Sequence, residues 1–446
     1  MTVVAAVDCG ATSVRVCRVD LAADTITPEV VHRVAHAPRR DTAGHLRWDW
    51  AAITGAVVAG LERCLERGPL ASIGIDTWAV DYGLLDETGE LVAPPFSYRD
   101  HRTDDYLDLV ARFGAREMYA RNGLQLQPFN TVFQLAAHDR NELDRATRLL
   151  WLPELLVHHL TGATVTERTS AGCSGLTDVH AGNWHPELLA LAGVGAELLG
   201  TIEPAGRVVG DWRGIPVSLV GGHDTASAVV GMGTPSAGGS AFVATGTWML
   251  TGIERPLPDT SDWARARNFT NEAGALGGVR FLRNVTGFWL LEQCRTAWGG
   301  IAIESLIDRA ARVDVAAPIV DVDDPLLRAP DDMLGEFTAL AGLPRGADPA
   351  LVTRSIIESV AARVADVLAE LDHAHAYEDV VVFGGAARID LLVRRLVGRT
   401  GRQIRVGSAE AAALGNAIVQ GLAIGAYRSV DEGRLRLGVG TEAAHP

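Results

Sequence analysis

The sequence predicts an α/β fold of two similarly built halves, and three features predict it. A strand–turn–strand pattern opens the chain at Val3–Asp20, the same logic restarts at Ser240–Glu254, and a regular βαβα series runs from Asp348 to Ala423. With 446 residues the chain also exceeds what one hydrophobic core usually supports. Two domains of roughly 200 residues each are therefore expected. The division is placed at 1–231 and 232–430, with 431–446 as a C-terminal tail.

Val3–Val7 reads as a buried strand, Asp8 to Ser13 as a polar turn, and Val14, Val16 and Val19 as the apolar positions of the return strand. Ile53, Val57, Leu61 and Leu65 share one face of a helix over Ala51–Arg67, which Gly68 and Pro69 stop. Ser72–Asp86 reads as two strands through a polar middle, and residues 104–220 as mainly helical, with connections around Gly182, Pro186, Pro204 and Gly214. In the second half, Val243 and Leu250 flank a Thr245-Gly246-Thr247 turn. A helix starts at Asp348-Pro349 and carries Ile356, Val360, Val364, Leu368 and Leu371 on one stripe. Asp379–Gly385 is a strand ending in a glycine pair, followed by a helix with Leu392, Leu396 and Val397 and a strand at Gln403–Val406. Ser408 then caps a small-residue helix, Ala409–Ala423, in which Gly415 and Asn416 admit the close approach of another backbone or of an adenine. Gly384-Gly385-Ala386-Ala387-Arg388-Ile389 lacks the Gly-x-Gly-x-x-Gly spacing, so a dinucleotide reading of it is weak.

Composition narrows the function classes. Hydrophobic residues at 48% and charged residues at 21% describe a globular chain rather than a disordered one. A net charge of −15 argues against nucleic-acid binding, which needs clustered Lys and Arg. It leaves room for an anionic nucleotide, because Mg²⁺ and backbone amides neutralise phosphate locally. Cys9, Cys17, Cys64, Cys173 and Cys294 form neither a disulfide framework nor a zinc spacing, which points to reduced thiols in the cytoplasm. No basic leader precedes the first apolar run, Asp8 interrupts that run, and no apolar segment is long enough to span a membrane. The expected partners are small molecules, with the chain itself a monomer or homodimer.

The chemistry concentrates in Gly221–Ala228 and Ala244–Trp248. The first sets Asp224, between His223 and Thr225, in a small-residue loop. The second sets Gly246 between two threonines. Phosphoryl transfer needs both kinds of part: an aspartate to take the acceptor hydroxyl, and amides with short hydroxyl side chains to reach phosphates. The opening turn adds a third part, in which Thr12, Ser13 and Arg15 can contact an anion and Asp8 suits a magnesium-bound water. The plain alternative is a hairpin whose Asp and Thr satisfy turn amides. Asp76, Trp78 and Asp81 suit a sugar, whose hydroxyls want acceptors and whose ring face wants an aromatic; the alternative is a core Trp on a sheet with one wet face. Tyr98–Thr103 lines the same cleft or forms a loop.

Together these segments resemble the FGGY carbohydrate-kinase family of the actin/hexokinase fold, and within it the rhamnulokinase branch. The resemblance runs from about Val3 to Ala423 and is carried by IGIDTWAVDYGLL (73–85), YRDHRT (98–103), QPFNTVFQL (127–135), HDTASAV (223–229), TGTWML (245–250), NFTNEAG (268–274) and NVTGFWLL (284–291). It implies two ribonuclease-H-like domains with the active site in the interdomain cleft, and ATP-dependent phosphorylation of the 1-hydroxyl of L-rhamnulose. It implies Asp224 as catalytic base and His223, Thr225, Asn284 and Ala79 as sugar-side residues. Ala11, Thr12, Ser13, Val14 and Arg15 match the first phosphate loop, Gly246 and Thr247 the second, and Gly384 and Gly385 the adenosine side. Three positions depart from the family pattern. Ala79 stands where a glycine is common, Glu292 replaces a nucleotide-side glutamine and brings a negative charge near phosphate, and Gly-Gly-Ala-Ala replaces a longer glycine run.

The implied mechanism is in-line transfer of the γ-phosphoryl group of ATP. Because the transition state is loose, positioning outweighs basicity and an Asp224 of ordinary pKa suffices. The alternatives are a kinase for another ketose or polyol (fuculose- or xylulose-like), a non-catalytic ATP switch of the actin or chaperone type, and a degenerate sugar-binding regulator. Sugar-dependent ADP release separates the kinases from the other two.

Overall fold

The computed structural model describes all residues except 1, 329, 439–442, 445 and 446. The chain forms two compact units: Met1–Gly233 with Glu254–Phe281 and Ala411–Gly438, and Thr234–Ile253 with Leu282–Glu410.

In the first unit, β1 (Val3–Gly10), β2 (Ser13–Asp20), β3 (Pro28–Ala35), β4 (Ser72–Thr77), β5 (Arg207–Trp212) and β6 (Ile215–Leu219) form one sheet of order β5-β6-β4-β1-β2-β3. β1 pairs antiparallel with β2 and parallel with β4. Every residue of β4 is buried, as a central strand covered on both faces requires. Helix α1 (Trp50–Glu66) covers one face. Asp49 caps it through the amide of Ala52, and Ile53, Val57 and Leu61 pack against Val16, Ile73 and Ile75.

The helix Ala411–Ala423 also belongs to this unit. It lies against α2 (Asp224–Val230) so closely that a Cβ at Gly415 would stand 1.7 Å from the carbonyl oxygen of Ser227, and one at Gly231 would stand 2.1 Å from that of Ala411. Of the two neighbours that the small residues admit, a backbone or an adenine, the structure sets backbone against Gly415. Asn416 donates to Asp76 and Gln420 to the carbonyl of Ala5.

Two expectations need correction. β5 and β6 fall inside the segment expected to be mainly helical; they are joined by Arg213 and Gly214, both at positive φ (53° and 79°), the turn that suits the twist of a tight hairpin. Residues 431–438, expected as tail, are folded. A short helix, Val430–Arg434, sets the buried Arg434 guanidinium on the carbonyls of Val229 and Val230, which end α2. The remainder of the expected tail falls largely outside the described residues.

The second unit repeats the plan. β7 (Ser240–Thr245), β8 (Trp248–Arg255), β9 (Val279–Thr286), β10 (Asp379–Gly384) and β11 (Ile404–Val406) run in the order β9-β8-β7-β10-β11, with the far ends of β8 and β9 counted in the first unit. β7 is antiparallel to β8 and parallel to β10, as β1 is to β2 and β4. Helices α3 (Trp289–Ala297), α4 (Pro349–Ala374, capped by Asp348) and α5 (Asp390–Thr400) complete it. Both halves therefore read hairpin, third strand, helix, parallel strand. All five cysteines are buried free thiols, and among the described residues no helix is long and apolar enough to cross a membrane.

Gly415→Ala forces α2 away from the returning helix. Overpacking of this kind lowers stability by about 1–3 kcal/mol. We expect a lower denaturant midpoint; an unchanged midpoint would remove the contact from the account.

Candidate active site

Three carboxylates gather at the carboxyl ends of the strands of the first unit. Register places Asp8 of β1 opposite Asp76 of β4. A bridge between Thr77 and His223, with the Thr77 amide donating to Gly222, brings Asp224 to the same end. Burial, the charge of Asp8 and, more weakly, that of Asp224 push Asp76 well above the usual carboxylate range. Burial and Asp8 lift Asp224 to about 7. An ordinary pKa would suffice for loose transfer, and Asp224 lies above it, in the range where a base near neutral pH works best. Its carboxyl is 28% exposed, the most open of this trio, and accepts the hydroxyl of Thr225 at 3.1 Å.

The first hairpin closes at Gly10↔Ser13, leaving Ala11 and Thr12 as its turn, with Thr12 exposed. Val14 is buried in the core, so only its backbone faces the turn. Arg15 pairs with Asp8 across the hairpin at 2.7 Å. His36, which the sequence reading missed, holds the turn from behind, its amide donating to Thr12 and its Nε2 to the carbonyl of Gly10 at 2.9 Å. Two buried carboxylates and the partly open Asp224, set against the guanidinium of Arg15, are a donor set that fits a hard divalent cation.

Trp78 and Asp76 differ from expectation. Trp78 is 6% exposed, lies 4.4 Å from Trp48 and 5.5 Å from His36, and donates its indole N–H to Asp81. Its ring builds a wall instead of offering a face to a sugar. Asp76 is fully buried and accepts a hydrogen bond from Asn416, so it has no open edge for a sugar hydroxyl. Asp81 is buried too; burial raises it to about 6, against the donors Trp78, Trp48 and Gln134. Asp100 and Arg102 are likewise internal: Asp100 accepts the amides of Leu46 and Arg102, and Arg102 donates to Gln134. Ala79 is half-buried, and the next residue, Val80, has φ +73°, a strained value for a β-branched side chain. Thr131 and Gln134 hold it there by donating to its carbonyl.

The loop before Asp224 is built from inside. A Cβ at Gly222 would lie 2.7 Å from the Ser170 hydroxyl, and one at Gly221 2.9 Å from Ala275, so both positions exclude a side chain. Buried Glu167 accepts the amides of Gly222 and Thr169, and the Thr169 hydroxyl accepts the amide of His223. Glu154 accepts the amide of Glu167. Burial drives Glu154 to about 8, with the Glu167 charge adding, and Glu167 to about 7. On the other side of His223 stand Cys173, Glu272 and Arg280, also missed.

In the second unit, Thr245 pairs with Gly384 in register, which sets the Gly246–Thr247 turn beside Gly384 and the exposed Gly385. Gly384 has φ +93°, and a Cβ there would meet the Thr245 carbonyl oxygen at 2.3 Å, so only glycine fits. Gly287 supports the turn from below, its Cβ position 2.9 Å from the carbonyl oxygens of Gly246 and Thr247. Asn284, half-buried, is three residues earlier on β9. Glu292 on α3 pairs with Arg295, which offsets the bare negative charge expected of it.

The chain belongs to the FGGY family of carbohydrate kinases. The N-terminal domain of that family matches residues 3–231 and the C-terminal domain residues 241–424. It is a sugar kinase, with a sugar and ATP as substrates. A rhamnulokinase of Bacteroides thetaiotaomicron is 34% identical over 441 residues, covering 94% of this chain and 90% of the relative. A xylulose kinase of Lactobacillus acidophilus superposes with a TM-score of 0.81 at 17% identity, covering 100% of this chain and 94% of that one. A Plasmodium falciparum glycerol kinase with ADP gives 0.76 at 14% identity, covering 98% and 93%. These two structures share the fold with this chain.

The raised carboxyls under the loop have a measurable consequence. Below about 4.5 Glu154 is protonated whether folded or unfolded, so it contributes nothing to pH dependence. Between 4.5 and about 8 the unfolded chain ionises while the folded one keeps its proton, so stability falls as pH rises. Glu154→Gln is expected to flatten that fall in unfolding curves taken across the window, Glu167 leaving a smaller slope. An equally steep fall would show that Glu154 is already ionised in the native protein.

Proposed function

We propose that this kinase transfers the γ-phosphoryl group of ATP to the 1-hydroxyl of L-rhamnulose, giving L-rhamnulose 1-phosphate and ADP. The observation that carries the sugar identity is the 34% identity, over nearly the whole chain, to a rhamnulokinase. Asp224 is the base: it is the most open carboxyl of its trio, lies at the start of α2 and has a pKa of about 7. His223, Thr225, Ala79 and Asn284 contact the sugar. The turn at Ala11–Thr12, with the backbone of Ser13 and Val14 and the guanidinium of Arg15, receives phosphate; Gly246 and Thr247 form the second phosphate turn, and Gly384 and Gly385, with Glu292 nearby, the adenosine side. In this reading residues 1–231 carry the base, the first phosphate turn and the sugar side apart from Asn284, and 232–430 the second phosphate turn and adenosine site. Mg²⁺ would be held through water at Asp8, where it would spread the charge of the transferring group. Five buried reduced thiols suit work in the cytoplasm, as a monomer or homodimer.

Asp224 takes the hydroxyl proton as the oxygen–phosphorus bond forms. Its neighbours hold the sugar so that little motion is left to the reacting atoms. The methyl of Ala79 discriminates between sugars by only about 1–3 kcal/mol, so related ketoses are the competitors to assay.

Coupled ADP release measured on a panel of ketoses should give L-rhamnulose the highest kcat/KM, with the phosphate on C1 by NMR. Preference for another ketose would overturn the sugar identity, and ADP release independent of sugar would overturn the kinase reading. Asp224→Asn is expected to lower kcat by about 10²–10⁴-fold while sugar affinity measured by calorimetry stays close to wild type. Near-normal kcat in this variant would remove Asp224 from the chemistry.

A further inference from the structure

His223 stands between the base and a buried polar cluster that the reaction does not itself require. Its Nε2 lies 3.4 Å from Asp224 Oδ1. Its Nδ1 faces Arg280 Nη2 at 3.0 Å, Cys173 Sγ at 3.2 Å and Glu272 Oε2 at 3.5 Å. The Arg280 side chain is 1% exposed; its Nη2 also reaches Glu272 Oε2 at 3.1 Å, and its Nε donates to the carbonyl of Ala273. Cys173, His223 and Glu272 together have the donor types of a metal site, but the guanidinium of Arg280 stands within reach of all three and supplies the cation.

An arginine has donors and no acceptor, and it keeps its charge in proteins. At 3.0 Å from Arg280 Nη2, His223 Nδ1 must therefore accept. The Cys173 thiol is pushed up by burial and by Glu272, so its sulfur keeps a proton and offers a second donor toward the same nitrogen. An imidazole that accepts at one nitrogen carries a single ring proton and is neutral. A neutral ring that accepts at Nδ1 carries its proton at Nε2, the nitrogen facing Asp224.

We propose that Arg280 is a positioning residue that fixes His223 as the Nε2–H tautomer, so that His223 and Asp224 offer one donor and one acceptor side by side to the sugar. The tautomer follows from the network alone; the sugar contact rests on the function proposed above. A substrate whose attacked hydroxyl donates to Asp224 and whose adjacent oxygen accepts from Nε2–H matches this pair. With the opposite tautomer, Nε2 and Asp224 would both be acceptors, and the adjacent oxygen would face a lone pair. Glu272 balances the buried guanidinium and would attract a proton to Nδ1 if Arg280 were absent.

The test is the ¹⁵N spectrum of histidine-labelled full-length enzyme without sugar, with His223→Gln used to assign the ring. Wild type should show a bare Nδ1 and a protonated Nε2, unchanged between about pH 6 and 8. In Arg280→Met the proton should move to Nδ1, or the ring become doubly protonated. KM for the sugar should then rise about tenfold or more, as loss of one buried hydrogen bond predicts, with KM for ATP nearly unchanged. Arg280→Lys should restore part of both effects. A wild-type Nδ1–H signal overturns the proposal, and this reading needs no Arg280 variant to fold. An unchanged tautomer in folded Arg280→Met overturns it equally. A tautomer that moves as expected while sugar KM stays constant supports the role of Arg280 and overturns the sugar contact of His223.

Discussion

The parallel register of β1 and β4 is the constraint on which the site in the first unit depends. It sets Asp8 beside Asp76 inside a sheet, and the bridge from Thr77 to His223 then adds Asp224. Gathering like charges away from water is unfavourable, and much of the surrounding structure answers that strain. Arg15 pairs with Asp8, Asn416 donates to Asp76, and Thr225 to Asp224. The returning helix therefore does more than cover the sheet. Through Asn416 it supplies a neutral donor to the buried Asp76. An Asp224 carboxyl raised to about 7 is the outcome of this balance.

The same region is rigid for a second reason. The backbone leading to Asp224 is tied to Glu167 and Thr169, and its two glycines leave no space for side chains. Val80 is held at positive φ by two donors on its carbonyl. Strain of this kind persists only where neighbours overdetermine the conformation. Catalysis that relies on placement, as phosphoryl transfer does, profits from such a frame because the acceptor oxygen has little freedom to lose.

Asp224, the two hairpins and the glycine pair were legible in the sequence because each is a short contiguous pattern whose residue types state their chemistry. The helix at 50–66 was legible from its periodicity and stop signals. What escaped depends on contacts between distant segments. Cys173, Glu272 and Arg280 are ordinary residues until folding sets them around one imidazole. Trp78 looked like a sugar platform because nothing local shows that Trp48, thirty positions earlier, occupies the space beside it. β5 and β6 escaped because Arg207–Trp212 is largely solvent-facing and lacks the apolar alternation of an inner strand. Gly415 showed a close approach without showing to what, and only the fold names the carbonyl of Ser227.

The repeated plan of the two units separates what the fold supplies from what the side chains supply. In each, a hairpin strand runs parallel to the strand that follows the long helix, so two carboxyl ends lie side by side. In the first unit these ends carry Asp8 and Asp76, and the charge of Asp8 together with burial raises the nearby Asp224. In the second the corresponding ends carry Thr245 and Gly384, neutral and so tightly set that the glycine admits no methyl group. One architecture thus yields an acid-rich strand end and a neutral, backbone-rich one. The first has the chemistry to move a proton from a hydroxyl, and the second has the bare amides and hydroxyls that an anion prefers. The shared topology places the strand ends, and the residue types at them set how their chemistry differs.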